Sequence, residues 1–136
     1  MDIKRLEHAT ERHKTSYLSC GSVDAQPIIM LHGWPDLSIG WEEQLKFFGA
    51  QGYHAIAPDM RGYGSSSIPE NHSDYCMREI VEDMIELLSS LGHKEAIWVG
   101  HDWGSPVVWN IALHHPEAVK GLVSLCVSFG WGGHPN

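Results

Sequence analysis

The sequence is short of the features that mark several common protein classes. Its three cysteines, Cys20, Cys76 and Cys126, are odd in number, far apart and form no C-x-x-C. Neither a disulfide framework nor a zinc knuckle is indicated, and they read as buried thiols. Nine Lys and Arg stand against seventeen Asp and Glu, a formal charge of −8 with no long run of one sign. That balance argues against nucleic acid or an anionic membrane as a partner. Residues 1–5 lack the apolar core of a signal peptide, and the longest nearly apolar run, residues 121–129, is far too short to span a bilayer. The expectation is a soluble, cytoplasmic protein. Ten histidines show no H-E-x-x-H or similar ligand spacing, so no metal site is predicted. There are no internal repeats and no low-complexity linker.

What is present suits a packed domain, because 136 residues with 43% hydrophobic content are enough for a real core. Residues 6–10 and 15–20 show partial alternation around a charged turn and predict two antiparallel strands. Pro27 introduces Ile28, Ile29, Met30 and Leu31, a continuous apolar run of the kind buried on both faces. Residues 41–51 read as an amphipathic helix with Trp41, Leu45 and Phe48 inward and Gly52 as its stop. Another short strand, residues 54–57, runs into a glycine-rich turn that lacks the lysine of a P-loop.

Ser73 is placed to cap a long helix over residues 74–91, whose Met77, Ile80, Val81, Met84, Ile85, Leu88 and Leu91 form a buried stripe ended by Gly92. Residues 96–99 then predict a strand, residues 105–115 a helix with Val108, Ile111, Ala112 and His115 inward, and residues 119–129 a last strand. Two strands, then strand and helix three times, then a strand predict an α/β fold, a mostly parallel sheet with helices on both faces. Chemistry is expected in the loops at the carboxyl ends of those strands.

Gly100-His101-Asp102-Trp103-Gly104 lies between a strand and a helix, the layout of a nucleophile elbow with an aspartate at its centre. A serine there needs a neighbouring base, whereas a carboxylate is already ionised at neutral pH. Such a group attacks an electrophilic sp3 carbon that carries a leaving group, and the product is an alkyl ester on the enzyme.

With that motif the chain resembles the N-terminal half of an α/β-hydrolase of the soluble epoxide hydrolase group. Four blocks carry the likeness across residues 27–129: His32-Gly33-Trp34-Pro35, Asp59-Met60-Arg61-Gly62-Tyr63-Gly64-Ser65, the Asp102 elbow, and Pro106-Val107-Val108-Trp109. The resemblance implies that Asp102 is the nucleophile and that the backbone N–H groups of Trp34 and Trp103 form the oxyanion hole. It makes His32 a loop organiser, Pro35 a stiffener of the turn, and Gly33, Gly100 and Gly104 the small residues that let these segments meet. His101 points away from substrate, and the Arg61 turn, Trp41, Trp98 and Trp109 are structural. The substrate implied is a small apolar epoxide, with no cofactor. Members of the group carry a helical cap with tyrosines, a distal acid and a histidine, none of which has a counterpart here. The expectation is therefore a truncated hydrolase domain, inactive alone, whose last strand is an exposed edge for a second copy or a complementary fragment. Two alternatives stay open: a haloalkane dehalogenase using the same Asp102, and a non-catalytic half-domain that needs a partner chain.

Overall fold

The computed structural model describes residues 2–125. Nine principal elements run in the order β1 (Lys4–Ala9), β2 (Lys14–Cys20), β3 (Gln26–Leu31), α1 (Glu42–Ala50), β4 (Tyr53–Pro58), α2 (Met77–Ser90), β5 (Ala96–His101), α3 (Gly104–His114) and β6 (Val119–Leu125). The strands form one sheet in the order β1-β2-β4-β3-β5-β6. β1 and β2 are antiparallel to each other, as is β2 to β4, and β4, β3, β5 and β6 are parallel. The α/β architecture expected from the sequence is therefore present.

The apolar run of β3 is continuous because both its faces are covered. Ile28 and Met30 face one core with Leu18, Ala55 and Val99, closed by Leu45 of α1. Ile29 and Leu31 face the other, with Ile56, Met84, Trp98 and Ile111 under α2 and α3. Alternate residues of one strand thus serve opposite faces. Trp98 is fully buried and its indole N–H donates to Ala118 O at 2.9 Å, which satisfies its one polar atom.

Several expectations need correction. Ser73 does not cap α2: residues 72–75 form a short 3-10 turn, Cys76 is extended (φ −70°, ψ 156°), and the helix begins at Met77. The segment is held apart because the Arg61 guanidinium donates to Asp74 O at 2.8 Å and the Tyr75 hydroxyl donates to Pro69 O at 2.7 Å. The first helix also starts as a 3-10 turn, Ser38–Trp41, with α1 proper from Glu42. His115 ends α3, half-buried beside Glu82 and Glu117 instead of in the core. Cys20 is buried but Cys76 is exposed. The last strand is described to Leu125, and residues 126–129 of the expected strand, with Cys126, lie outside the described residues.

Candidate active site

β5 ends at His101 and α3 begins at Gly104, so Asp102 and Trp103 make the whole turn. Asp102 has φ 54°, and among the described residues no other non-glycine has a positive φ. That conformation costs an L-residue about 1–2 kcal/mol, so its neighbours must enforce it. They do so by close approach. A Cβ on Gly100 would lie 2.5 Å from Gly104 O, and one on Gly104 would collide with Leu31 O. Only glycines at both positions let α3 start against the ends of β3 and β5. The turn is also tied down by hydrogen bonds: Asp102 N–H donates to Leu125 O at 3.2 Å, and Ser105 N–H donates to Asp102 O at 3.0 Å. The Ser105 hydroxyl lies 2.9 Å from Gly100 O and 3.0 Å from Leu125 O, a shared donor between strand ends.

The loop after β3 packs directly on this elbow. A Cβ on Gly33 would lie 2.5 Å from Asp102 Cβ and 2.9 Å from Asp102 Oδ2, so glycine is required for Trp34 and Asp102 to come this close. The Trp34–Pro35 peptide is cis. Asp36 N–H closes the turn on Gly33 O at 2.9 Å. His32 is buried at the loop entrance. Its Nδ1 lies 2.9 Å from Gly33 O, and its Nε2 accepts Met60 N–H at 2.9 Å. An acceptor at Nε2 makes Nδ1 the protonated atom of a neutral ring. Burial pushes the His32 pKa down, which keeps the ring in that state.

The remaining site residues arrange themselves around these two loops. Trp103 stands at the N-terminal end of α3 (φ −67°, ψ −15°) with no side-chain cap and no acidic residue in the first turn. The positive end of the helix dipole therefore faces Asp102 without a competing carboxylate of its own. The side chains of Trp34 and Trp103 are both largely exposed, at 63% and 62%. The His101 ring packs edge-on against Trp41, on the α1 side of the sheet and away from the Trp103 side. A cavity of roughly 300 Å³ lies beside Trp103, bordered by Gly33, Tyr63, Tyr75, Ile80 and Val107.

The turn after β4 is charged and buried. Arg61 forms a two-pronged ion pair with Asp83 of α2, at 2.9 and 2.8 Å, and Arg12 of the β1–β2 hairpin reaches the same carboxylate. Asp59 is also buried and accepts from Ser38 N–H and Arg5. Arg5, Ser38 and Asp83 carry no motif, and positions as far apart as 5 and 59 meet only after folding, so sequence reading missed them. Among the described residues no group of three or more His, Cys, Asp or Glu side chains could hold a metal ion. No described helix is long and apolar enough to cross a membrane.

A parallel sheet with a strained aspartate elbow defines a class of protein, and sequence comparison agrees with it. The family model described as the alpha/beta hydrolase fold matches residues 26–134, and the chain belongs to that family. More particularly, it is similar to epoxide hydrolases. It is 39% identical over 128 residues to epoxide hydrolase 2 of Siraitia grosvenorii, covering 93% of this chain and 40% of that protein. It is 41% identical over 110 residues to epoxide hydrolase A of Mycobacterium tuberculosis, covering 81% of this chain and 34% of the relative. Among solved structures, epoxide hydrolase A from Mycobacterium thermoresistibile superposes with a TM-score of 0.90 at 34% identity, over 93% of this chain and 40% of that one. The chain thus spans about two fifths of the length of the epoxide hydrolases of Siraitia grosvenorii to which it is similar.

Proposed function

We propose that this chain carries the nucleophile half of an epoxide hydrolase, acting through an ester on Asp102. The observation that carries the proposal is the Asp102 backbone, held at φ 54° at the carboxyl end of β5 with Gly33 packed against its side chain. An Asp102 carboxylate oxygen attacks one epoxide carbon, the ring C–O bond breaks, and the alkoxide takes a proton from an acid or from water. Water then adds to the ester carbonyl of Asp102. The resulting oxyanion is stabilised by the N–H groups of Trp34 and Trp103, and its collapse releases a vicinal diol and restores the carboxylate. No cofactor enters this sequence. The exposed indoles of Trp34 and Trp103 favour a small apolar substrate. The similarity to epoxide hydrolases of 38–41% identity over 110–128 residues supports the same chemistry.

Intact-mass spectrometry of the chain incubated with styrene oxide tests the proposal. One added epoxide mass is expected, mapped to the peptide that contains Asp102. Asp102→Asn, which tolerates a left-handed φ better than most residues, should lose it. No adduct on the parent, or an undiminished adduct on the variant, refutes the assignment.

A further inference from the structure

The turn after β4 grips the loop that carries Trp34 at both of its ends. At the entrance, Met60 N–H donates to His32 Nε2 at 2.9 Å; at the exit, Asp59 Oδ1 accepts Ser38 N–H at 2.9 Å. Two consecutive residues therefore fix residues 32 and 38, with Trp34 between them. The second oxygen of Asp59 accepts from Arg5 Nη1 at 3.0 Å and from Ser65 N–H at 3.4 Å, while Arg5 also donates to Ser16 Oγ at 2.8 Å. Gly64, at φ 53°, comes so close that a Cβ there would lie 2.5 Å from Asp59 Cγ. The carboxylate is thus fully engaged at 2% exposure. A buried charge is expensive even when paired, and an apolar contact of similar size would serve the sheet as well. What an apolar residue could not supply is a fixed acceptor for Ser38 N–H.

We propose that Asp59 is a positioning residue that aims the N–H of Trp34 at the Asp102 ester carbonyl by holding the exit of its loop through Ser38. The inference rests on the ester reading of Asp102. Negative charge reaches the oxyanion hole only when the ester is attacked, not when it forms. Loosening the loop exit therefore slows ester cleavage and spares ester formation. Removing an oxyanion donor outright costs about 10²- to 10³-fold, so displacing one should cost about tenfold or more.

The two steps can be separated on the 136-residue chain with styrene oxide as alkylating probe and hydroxylamine as external nucleophile. Hydroxylamine nitrogen attacks the ester carbonyl, the acyl C–O bond breaks, and the departing alkoxide takes the nitrogen's proton. The diol leaves and Asp102 remains as a hydroxamic acid, all visible by intact mass. Asp59→Leu, which keeps the shape of the side chain but has no acceptor, should alkylate within threefold of the parent but cleave its ester at least tenfold more slowly. Ser38→Pro gives a second route that keeps the carboxylate. Proline lacks the N–H and suits the first position of a helical turn, and the extended Leu37 before it (φ −141°, ψ 173°) is compatible. It should show the same selective loss. Arg5→Gln removes another partner of Asp59 and the long contact of Arg5 Nη2 with Ser38 Oγ at 3.5 Å, but leaves the Ser38 N–H bond to Asp59, so its ester cleavage should stay within threefold although its melting temperature falls. Cleavage at the parent rate in Asp59→Leu or Ser38→Pro overturns the proposal, as does a loss that follows melting temperature across all three variants. A parent that forms no adduct refutes the reading of Asp102 itself.

Discussion

Gly33→Ala is the sharpest test of the site geometry because the structure says where the added methyl must go. Its Cβ would lie 2.5 Å from Asp102 Cβ, 2.9 Å from Asp102 Oδ2 and 2.9 Å from His101 O. Carbon atoms rest at about 3.5–4.0 Å, so something must move by about 1–1.5 Å. None of the three neighbours is the free end of a flexible side chain: His101 O belongs to a paired strand, and Asp102 Cβ is fixed by the elbow backbone. Either the loop carrying Trp34 lifts or the Asp102 carboxylate turns aside. A misplacement of about 1 Å costs about 10²-fold in rate, and overpacking costs about 1–3 kcal/mol of stability. The expected result is a Gly33→Ala chain that melts several degrees lower and reacts with styrene oxide about a hundredfold more slowly. The folded protein should retain its circular dichroism spectrum. Alkylation within threefold of the parent would mean that Gly33 does not set the approach to Asp102, and the site as described would be wrong.

Three further outcomes follow from the buried polar groups. Asp83→Ala leaves the Arg61 guanidinium buried without its carboxylate, and urea denaturation should show a loss of about 3–5 kcal/mol; a loss below about 1 kcal/mol would contradict a buried pair. Trp98→Phe deletes the N–H that reaches Ala118 O inside the core and should cost about 1–3 kcal/mol by the same measurement. His13, His32 and His54 all have pKa values pushed down by burial. The unfolded chain therefore takes up protons first. Stability is fully present above about pH 6.5 and is lost as pH falls below it, at on the order of 1 kcal/mol per unit for each ring. The urea midpoint should drop clearly between pH 7.5 and pH 5.5, and an unchanged midpoint would show that these rings are not held neutral.

The parts of the molecule legible in the sequence are those set by local pattern. The run from Ile28 to Leu31 announced a strand covered on both faces, and the spacing of Val81, Met84 and Leu88 announced the buried side of α2. The elbow was legible because its constraint is steric and short-range: glycines at 100 and 104 are needed by backbone atoms a few positions away. The start of α2 was misread because Ser73 has the right chemistry for a cap, while the force that breaks the helix comes from Arg61, twelve positions earlier. Asp83 was missed within α2 because an acid beside an apolar stripe reads as solvent-facing. Its partners, Arg12 and Arg61, come from two other segments. Long-range charge pairing leaves no periodic trace, and the buried ionic groups of this fold all arise that way.

The edge strand and the Asp102 elbow are not independent parts of this molecule. β6 is paired only with β5 among the described strands, and Val123 and Leu125 are about two-fifths exposed on the α1 side of the sheet, where they border an open cavity with Trp41, Gln44 and Phe48. An edge of this kind is held less firmly than a central strand and offers its free backbone to another strand. Yet Leu125 O is the acceptor for Asp102 N–H and lies within hydrogen-bond distance of the Ser105 hydroxyl. The strained φ of Asp102 is therefore braced on one side by Gly100 and Gly104, next to the centre of the sheet, and on the other by an edge strand. Whatever pairs along β6 stiffens the elbow through that single carbonyl, and fraying of β6 releases it. The order of the β6 edge and the geometry of the Asp102 elbow are thus coupled through one hydrogen bond.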